Sequence, residues 1–589
     1  MIDAPLRIAK YGISTVLSLV DDVLIEQMRK FHSQQEGEPY EPITAHDEDA
    51  RAHRITAYLN FVDRLVQRQV AQLQASPFEA GSEITRYYEL LPETPLSRAY
   101  REMLATTDPA QRTRQQQELR QLAVPGSIDV NIMAKGDREP IRHGEKLPPQ
   151  FSDASAALRG YALSTLRSSI VFSAGINPRL YSYIAEFPDF FPDASGELKK
   201  QIILKVSDFR SAEVQGKFLA KRGLWVSEYR IESGLNCGGH AFPTKGLLLG
   251  PILEELHRRK AELIALLHRL YSKALAERGR AASSLPPAVR VTFQGGLGTG
   301  EEDQLLRDYY HVDGTGWGTP FLLVPEVTNV DDEHLRLLCN ATDDDVFLSD
   351  NSPFGLPFWN LRSSASEQAR RRRIEENHPG SPCPKGFVKL FNTEFTTHPI
   401  CVASRQYQQL KLKQLKLDDL PEPQRTAMRE SVMAKSCICH DLAGVATLKL
   451  GIDPAATPAV CCGPNIVNFS QVHTLEEMVG NIYGRVSLIT NPNRPHVLLR
   501  ELALYIDYMR DTLQKQALGL ADSTSDYWRE FKDNLLDGID HYRRLAGQFV
   551  AEAQTRFLDE LESLRERLDT IPLVDPVPEP EDVGQLVQA

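Results

Sequence analysis

The stretch Gly234-Leu235-Asn236-Cys237-Gly238-Gly239-His240 carries the clearest fold signal in this chain of 589 residues. It follows an apolar run that begins Leu224-Trp225-Val226, so its two glycines and its histidine fall where a buried strand would end. Paired glycines let backbone N–H groups approach a ligand closely, because no Cβ lies between them. The imidazole of His240 titrates near neutral pH. The stretch therefore predicts a strand end that faces a ligand.

Two more glycine-bearing segments follow strand-like runs further along the chain. They are Gln294-Gly295-Gly296-Leu297-Gly298-Thr299 and Gly314-Thr315-Gly316-Trp317-Gly318-Thr319-Pro320-Phe321. Glycine-bearing strand ends in succession are typical of one rim of a (β/α)8 barrel, where the active site lies at the carboxyl ends of the strands.

Strand and helix patterns alternate between residues 126 and 340. The predicted strands are 128–133, 169–174, 202–206, 224–231, 289–293 and 312–317, and the predicted helices are 154–165, 211–220, 253–278 and 301–310. Such alternation indicates parallel βαβ units. With a first strand predicted at 6–13, it favours an α/β fold of the (β/α)8 TIM barrel type. An open doubly wound sheet stays an alternative, although Gly296-Leu297-Gly298-Thr299-Gly300 has the wrong spacing for a dinucleotide fingerprint.

The remaining chain is divided by its texture. Residues 1–125 are predicted to hold the first strand and a helical insertion, which includes helix from 16 to 28 and from 55 to 73. Residues 126–340 form the barrel core, 341–480 an irregular cysteine-bearing insertion or lid, 481–570 the C-terminal helices, and 571–589 a disordered tail rich in proline and acidic residues.

The composition is that of a soluble globular protein, with 42% hydrophobic residues, 25% charged residues and a formal net charge of -12. No apolar run approaches the roughly 18 residues of a membrane span, and no signal peptide is recognisable. Eight cysteines in a chain of this length are not a disulfide framework, so a cytoplasmic location is expected. The acidic balance argues against a nucleic-acid partner, and the basic run 370–373 is interpreted as a solvated helix face.

At the three glycine segments the chain resembles the flavin-dependent nitronate monooxygenase superfamily, which includes flavin-type enoyl-acyl-carrier-protein reductases. The pattern of that family is Gly-x-Glu-Ala-Gly-Gly-His, then a strand ending in Gly-Gly-Ile, then a strand reading Gly-Thr-x-Phe. Here it is matched by Gly234 to His240, by Gly295-Gly296-Leu297 and by Gly318-Thr319-Pro320-Phe321. Asn236 and Cys237 replace the family's glutamate and alanine, which leaves the substrate and the reaction open.

The resemblance implies an FMN-dependent oxidoreductase, a monooxygenase or a reductase, that acts on a small or acyl-chain substrate. It implies that His240 is the catalytic acid or base. The flavin phosphate is expected at glycine turns after the last strands, and the residues predicted to bind the cofactor there and beside His240 are Gly238, Gly239, Gly295, Gly296, Gly318 and Thr319. The alternative is that these glycines only make tight turns.

Two polar residues stand in predicted apolar strands and are expected to contact the flavin ring. Asn131 matches an asparagine of the family, and Lys205 would place a positive charge near the ring. The alternatives are a hydrogen-bonded core amide for Asn131 and a salt bridge to Glu228 or Asp208 for Lys205.

The cysteines favour several interpretations. Cys437, Cys439, Cys461 and Cys462 are dense enough for zinc or an iron–sulfur cluster, but their spacing matches neither signature. Buried free thiols are the favoured interpretation, and a redox-active pair is a third.

Two other functions stay open. One is a non-flavin barrel enzyme that uses Lys205 for Schiff-base chemistry or binds a phosphosugar. The other is an inactive barrel that acts as a binding or assembly protein, with the flanking helices also favouring a homodimer.

Overall fold

The centre of the molecule is a sheet of parallel strands that follow one another in chain order. The computed structural model describes residues 2–133, 137–142, 145–237, 244–350, 357–381, 384–388, 390–491, 493–521 and 523–573. Within these residues the sheet strands are β1 (Thr15–Ser18), β2 (Ile128–Ile132), β3 (Ser168–Phe172), β4 (Lys200–Val206), β5 (Val226–Glu232), β6 (Arg290–Gln294) and β7 (Gly314–Gly316). Each strand pairs in parallel with the next. The α/β prediction is therefore confirmed.

Closure of this sheet into the predicted eight-stranded barrel is not shown. β1 and β7 are its two edges, and among the described residues they pair neither with each other nor with an eighth strand. Edge strand β1 has only four residues, and Val16 within it is 40% exposed.

The prediction that the first strand lies at residues 6–13 is wrong. Residues 6–13 form the helix Pro5–Ile8 and the 3-10 turn Ala9–Tyr11, and β1 begins only at Thr15. Pro5 occupies the first helical position, where its fixed φ suits a helix, and Gly12 ends the turn at a φ of 75°. The helix predicted from 16 onward is also corrected, because the apolar residues from Val16 belong to β1 and the helix starts later, as Asp22–Gln35.

The other predicted strands are confirmed within two residues at each end. The helices that connect them are Asp153–Ala162, Pro178–Ile184, Phe209–Ala220, Leu249–Glu277 and Gly300–Asp308. Each helix returns the chain to the end of the sheet at which the strands begin. The carboxyl ends of the strands therefore lie together at the opposite end, which we call the carboxyl edge.

The two faces of the sheet differ in polarity. Along β5, Tyr229 and Ile231 are buried in the main apolar core, and the Tyr229 hydroxyl lies 2.4 Å from where a Cβ on Gly216 of Phe209–Ala220 would be. Glu228, Arg230 and Glu232 alternate with them. Because successive side chains of a strand point to opposite faces, one face is apolar and covered by helices and the other carries charges.

Helices surround this sheet. Before β2 they also include Ala50–Ala75, Glu83–Leu90, Pro95–Ala105 and Pro109–Leu122. After β7 they are Asp332–Cys339, Ala365–Glu375, Arg405–Leu415, Glu422–Ala434, Ile438–Lys449, Leu475–Ile482, Val497–Ala517, Ser525–Leu545 and Ala551–Asp569. Short antiparallel strand pairs also occur outside the main sheet, and they are Ile141–Arg142 with Glu145–Lys146, Val346–Ser349 with Phe358–Leu361, and Phe391–Asn392 with Ile400–Cys401. Across the described ranges, none of the helices combines the length and the apolar character that a membrane crossing requires. The predicted disordered tail lies mostly beyond the described residues.

Candidate active site

Glu232, the last residue of β5, is the centre of a polar cluster at the carboxyl edge of the sheet. Its Oε1 receives the Lys205 Nζ of β4 at 2.9 Å and the Asn236 side-chain amide at 2.8 Å. The side-chain amide of Gln294, at the end of β6, donates to the same oxygen. Three adjacent segments of chain therefore meet at one carboxylate, and the side chains of Lys205 and Glu232 are 17% and 24% exposed.

The partner of Lys205 differs from both residues that the sequence suggests. Asp208 instead accepts the Ser211 N–H at 2.6 Å and begins the helix Phe209–Ala220. Glu228 accepts from Arg230 at 2.6 Å. Lys205 is thus paired with a carboxylate at the strand ends, where a ligand of the sheet would bind.

Asn131, near the end of β2, keeps an unsatisfied polar atom. Its side-chain oxygen is buried and has no hydrogen-bond partner among the described residues. Leaving a buried acceptor without a partner costs roughly 1–3 kcal/mol. The arrangement therefore fits a position where a ligand supplies the missing donor, and it argues against the fully hydrogen-bonded core amide.

A second polar layer lies closer to the amino ends of the strands. Glu228 Oε1 accepts from the Arg230 guanidinium at 2.6 Å and from the Thr292 hydroxyl at 2.6 Å. Glu228 was considered only as a partner of Lys205, and Arg230, Thr292 and Glu232 were not predicted from the sequence. The signal was present, because Glu228, Arg230 and Glu232 repeat a charge at every second position of a strand, a period of two that indicates one polar face.

The glycines after β6 bring two strand ends together. Gly295 has a φ of +111°, and a Cβ there would lie 2.9 Å from the backbone nitrogen of Asn236. A Cβ on Gly296, at a φ of +85°, would lie 2.7 Å from the Leu235 side chain. The Ser233 hydroxyl donates to the Gly295 carbonyl at 3.0 Å. The lack of a Cβ at both glycines therefore leaves room for the turn of the chain that follows β5.

The next residues after β6 enclose a buried ion pair between Glu302 and Arg494. Their side chains are 2% and 5% exposed, and Arg494 Nη1 lies 2.6 Å from Glu302 Oε1. Burial acts to raise the pKa of Glu302, but the Arg494 guanidinium and backbone N–H donors outweigh it and lower that pKa. Thr299 accepts the Glu302 N–H as the N-cap of Gly300–Asp308. The pattern Thr-x-x-Glu is a capping signature, and it could have predicted the position of Glu302.

The turn after β7 is covered in a similar way. The Thr319 hydroxyl accepts the Gly463 N–H at 3.1 Å and is in hydrogen-bond contact with the Cys237 thiol. A Cβ on Gly318 would lie 3.0 Å from the Cys237 sulfur. Burial raises the pKa of Cys237, which opposes formation of a reactive thiolate.

The cysteine region gives no support to the zinc or iron–sulfur prediction. Cys437, Cys439, Cys461 and Cys462 lie in the described chain, and within its bounds no three or more histidine, cysteine or acidic side chains are grouped to hold a metal ion. Cys462 is fully buried, and burial together with the neighbouring Cys237 raises its pKa to about 12. A buried neutral thiol is the state that this environment favours.

His240 and the preceding Gly238 and Gly239 lie outside the described residues. Their predicted roles stay predictions.

Comparisons with known proteins leave the family of this chain open. Neither the protein-family models nor the curated proteins contain a match. Among solved structures, a methionine-to-alanine mutant of FabK from Thermotoga maritima has 12% sequence identity and a TM-score of 0.30, over 64% of this chain and 80% of that chain. A likeness of this size does not identify a fold, and it carries no argument about function.

The residues present fit one part of FMN and not another. The ends of β2, β4 and β5, with Asn131, Lys205 and Glu232, form what we call the polar half of the carboxyl edge. An amide oxygen without a partner in the described chain and a cation at the same edge of the sheet suit the polar edge of a flavin ring. The turns after β6 and β7 form the closed half, where Glu302 accepts the Gly298 N–H and the Thr319 hydroxyl accepts the Gly463 N–H. A phosphate at the turn after β6 would meet the Glu302 carboxylate, so this turn does not fit a phosphate.

Proposed function

We propose that the protein is an oxidoreductase of the flavin-dependent type, acting on a small or acyl-chain substrate at the polar half of the sheet edge. The single observation that supports this best is the side-chain oxygen of Asn131 near the end of β2, which is buried and has no hydrogen-bond partner in the part of the chain that the structure describes. The resemblance at the glycine segments supplies the chemical class, which is hydride transfer by a bound flavin ring.

The chain's own residues would position and protonate the substrate. Glu232 fixes the Lys205 ammonium 2.9 Å away and also holds the Asn236 amide, so both donors have a set direction. A positioned ammonium can stabilise negative charge that develops on a substrate oxygen. His240 keeps the proposed role of acid or base, which the resemblance implies.

The proposal is tested by adding riboflavin and FMN to the purified protein and recording the visible spectrum after gel filtration. A two-banded flavin spectrum that travels with the protein is expected. Asn131→Leu should weaken binding by about tenfold or more, because it removes the acceptor without adding a charge. The control is Asn340→Leu at an exposed helix end, which should bind as the wild type does. A protein that retains neither flavin would contradict the proposal.

A second function is favoured by the Lys205–Glu232 pair itself. A lysine at a strand end beside a carboxylate is arranged for imine formation, because the carboxylate can take the proton that the ammonium must lose. Incubation with pyruvate or glyceraldehyde and borohydride should then add the mass of the reduced adduct to the peptide that contains Lys205. If no adduct forms on that peptide and the protein binds flavin, imine chemistry is excluded and the oxidoreductase is the one proposed function that remains.

A further inference from the structure

We infer that the chain's own Glu302 occupies the anion position at the turn after β6, so that a ligand of the sheet edge is recognised without a phosphate group. That this ligand is a flavin rests on the proposed function. Residues 296–298 form a glycine turn directly before the helix Gly300–Asp308, and a glycine turn at a helix start commonly binds phosphate.

The Glu302 carboxylate accepts from one donor of this turn and from two donors of the segment 494–497 that covers it. Gly298 N–H donates to Glu302 Oε2 at 2.9 Å, and Val497 N–H donates to Glu302 Oε1 at 2.7 Å. Arg494 Nη1 adds a charged donor at 2.6 Å. Two backbone N–H groups and a guanidinium are a set of donors that a phosphate would use, and one carboxylate takes all of them.

The carbonyl groups of the same turn are also satisfied by the chain. Arg494 Nη2 donates to Gly296 O at 2.9 Å, and Asn481 Nδ2 donates to Gly298 O at 3.0 Å. The Asn465 amide donates to Leu297 O. Asn465 and Asn481 are each 1% exposed, so segments more than 160 positions away in the chain enclose the turn.

The glycines of this turn make room for those segments. A Cβ on Gly298 would lie 2.8 Å from the Arg494 guanidinium carbon, and a Cβ on Gly300 would lie 2.6 Å from the Gly484 nitrogen. Their small size is thus explained by protein neighbours. A phosphate brought to the turn would meet the Glu302 carboxylate, and like charges repel strongly in a buried site.

The first measurement compares riboflavin with FMN by quenching of flavin fluorescence. The two dissociation constants should agree within about threefold, which is well under the tenfold that corresponds to 1.4 kcal/mol. FMN binding more than about tenfold tighter than riboflavin would overturn the inference and leave the proposed function standing. Failure of both flavins to bind would overturn the proposed function, and the inference would then be decided by inorganic phosphate.

The second measurement follows thermal unfolding in inorganic phosphate and in chloride at equal ionic strength. The wild-type Tm should be the same in both, and a rise specific to phosphate would overturn the inference. Glu302→Ala frees the donors, so phosphate should raise its Tm. Glu301→Ala is the matched control, because Glu301 is an exposed neighbour on the same helix, and phosphate should leave its Tm unchanged. If Glu302→Ala does not fold, the wild-type comparison decides.

Discussion

The two halves of the carboxyl edge use the same kinds of residue in opposite ways. In the polar half, the Lys205–Glu232 pair is partly exposed, and Asn131 keeps a buried oxygen without a partner in the described chain. In the closed half, the Arg494–Glu302 pair is almost fully buried, and Asn465 has partners on both its oxygen and its nitrogen.

The difference shows that a glycine turn after a strand is an ambiguous signal. Both halves lie at the end where ligands of parallel sheets bind. Among the described residues, the polar half has a buried side-chain oxygen without a partner, that of Asn131. In the closed half, Glu302 accepts the Gly298 N–H, and the carbonyl groups of the turn accept hydrogen bonds from side chains of the segment 465–494. The meaning of such a turn depends on which other part of the chain approaches it.

The largest expected effect separates the two ion pairs. Arg494→Met leaves Glu302 as a buried charge without its cation, and breaking a buried pair in this way costs about 3–5 kcal/mol. Lys205→Met removes the cation from a partly exposed carboxylate that keeps two amide donors, so it should cost about 1 kcal/mol or less. Urea unfolding measures both free energies. An equal decrease in the free energy of unfolding of the two variants would contradict the proposed difference between the two ion pairs.

A pH effect of intermediate size is expected from His496 in the closed half. Its ring lies 5.5 Å from the rings of Phe549 and Phe557, and burial lowers its pKa to about 4. Above about pH 6.5 the imidazole is neutral in the folded and unfolded states alike, so it has no effect. As the pH falls from there towards 4, the unfolded chain binds a proton that the folded chain does not bind. The free energy of unfolding therefore decreases by up to about 3 kcal/mol.

The variant His496→Asn isolates this contribution. Asparagine retains an acceptor for the Leu498 N–H, which His496 Nδ1 receives at 3.3 Å, and it does not titrate. The free energy of unfolding should therefore decrease less in the variant than in the wild type between pH 7 and pH 4. Parallel curves for the two proteins would show that His496 is not buried as a neutral ring.

Most strands between 128 and 317 could be predicted because they hold local runs of apolar and β-branched residues between turn residues, whereas β1 could not. Four residues from Thr15 are too few to separate a strand from a helix by period, and only their pairing with β2 decides it. In the site, Asn131 and Lys205 were visible as polar residues in apolar strands. The closed half was not, because Glu302 and Arg494 are 192 positions apart and no local pattern connects them.

The smallest effect compares one asparagine from each half. Asn465→Leu removes a donor to Leu297 O and an acceptor for Arg494 Nε, so it should destabilise the protein by about 1–3 kcal/mol. Asn131→Leu removes a buried oxygen that has no partner among the described residues, so it should leave the stability unchanged or raise it by up to about 1 kcal/mol. Leucine is the substitute at both positions, which makes each variant the control for the other in urea unfolding. Destabilisation of similar size at Asn131 would mean that its oxygen is satisfied within the folded chain, and the polar half would then lack the acceptor on which ligand binding is proposed to depend.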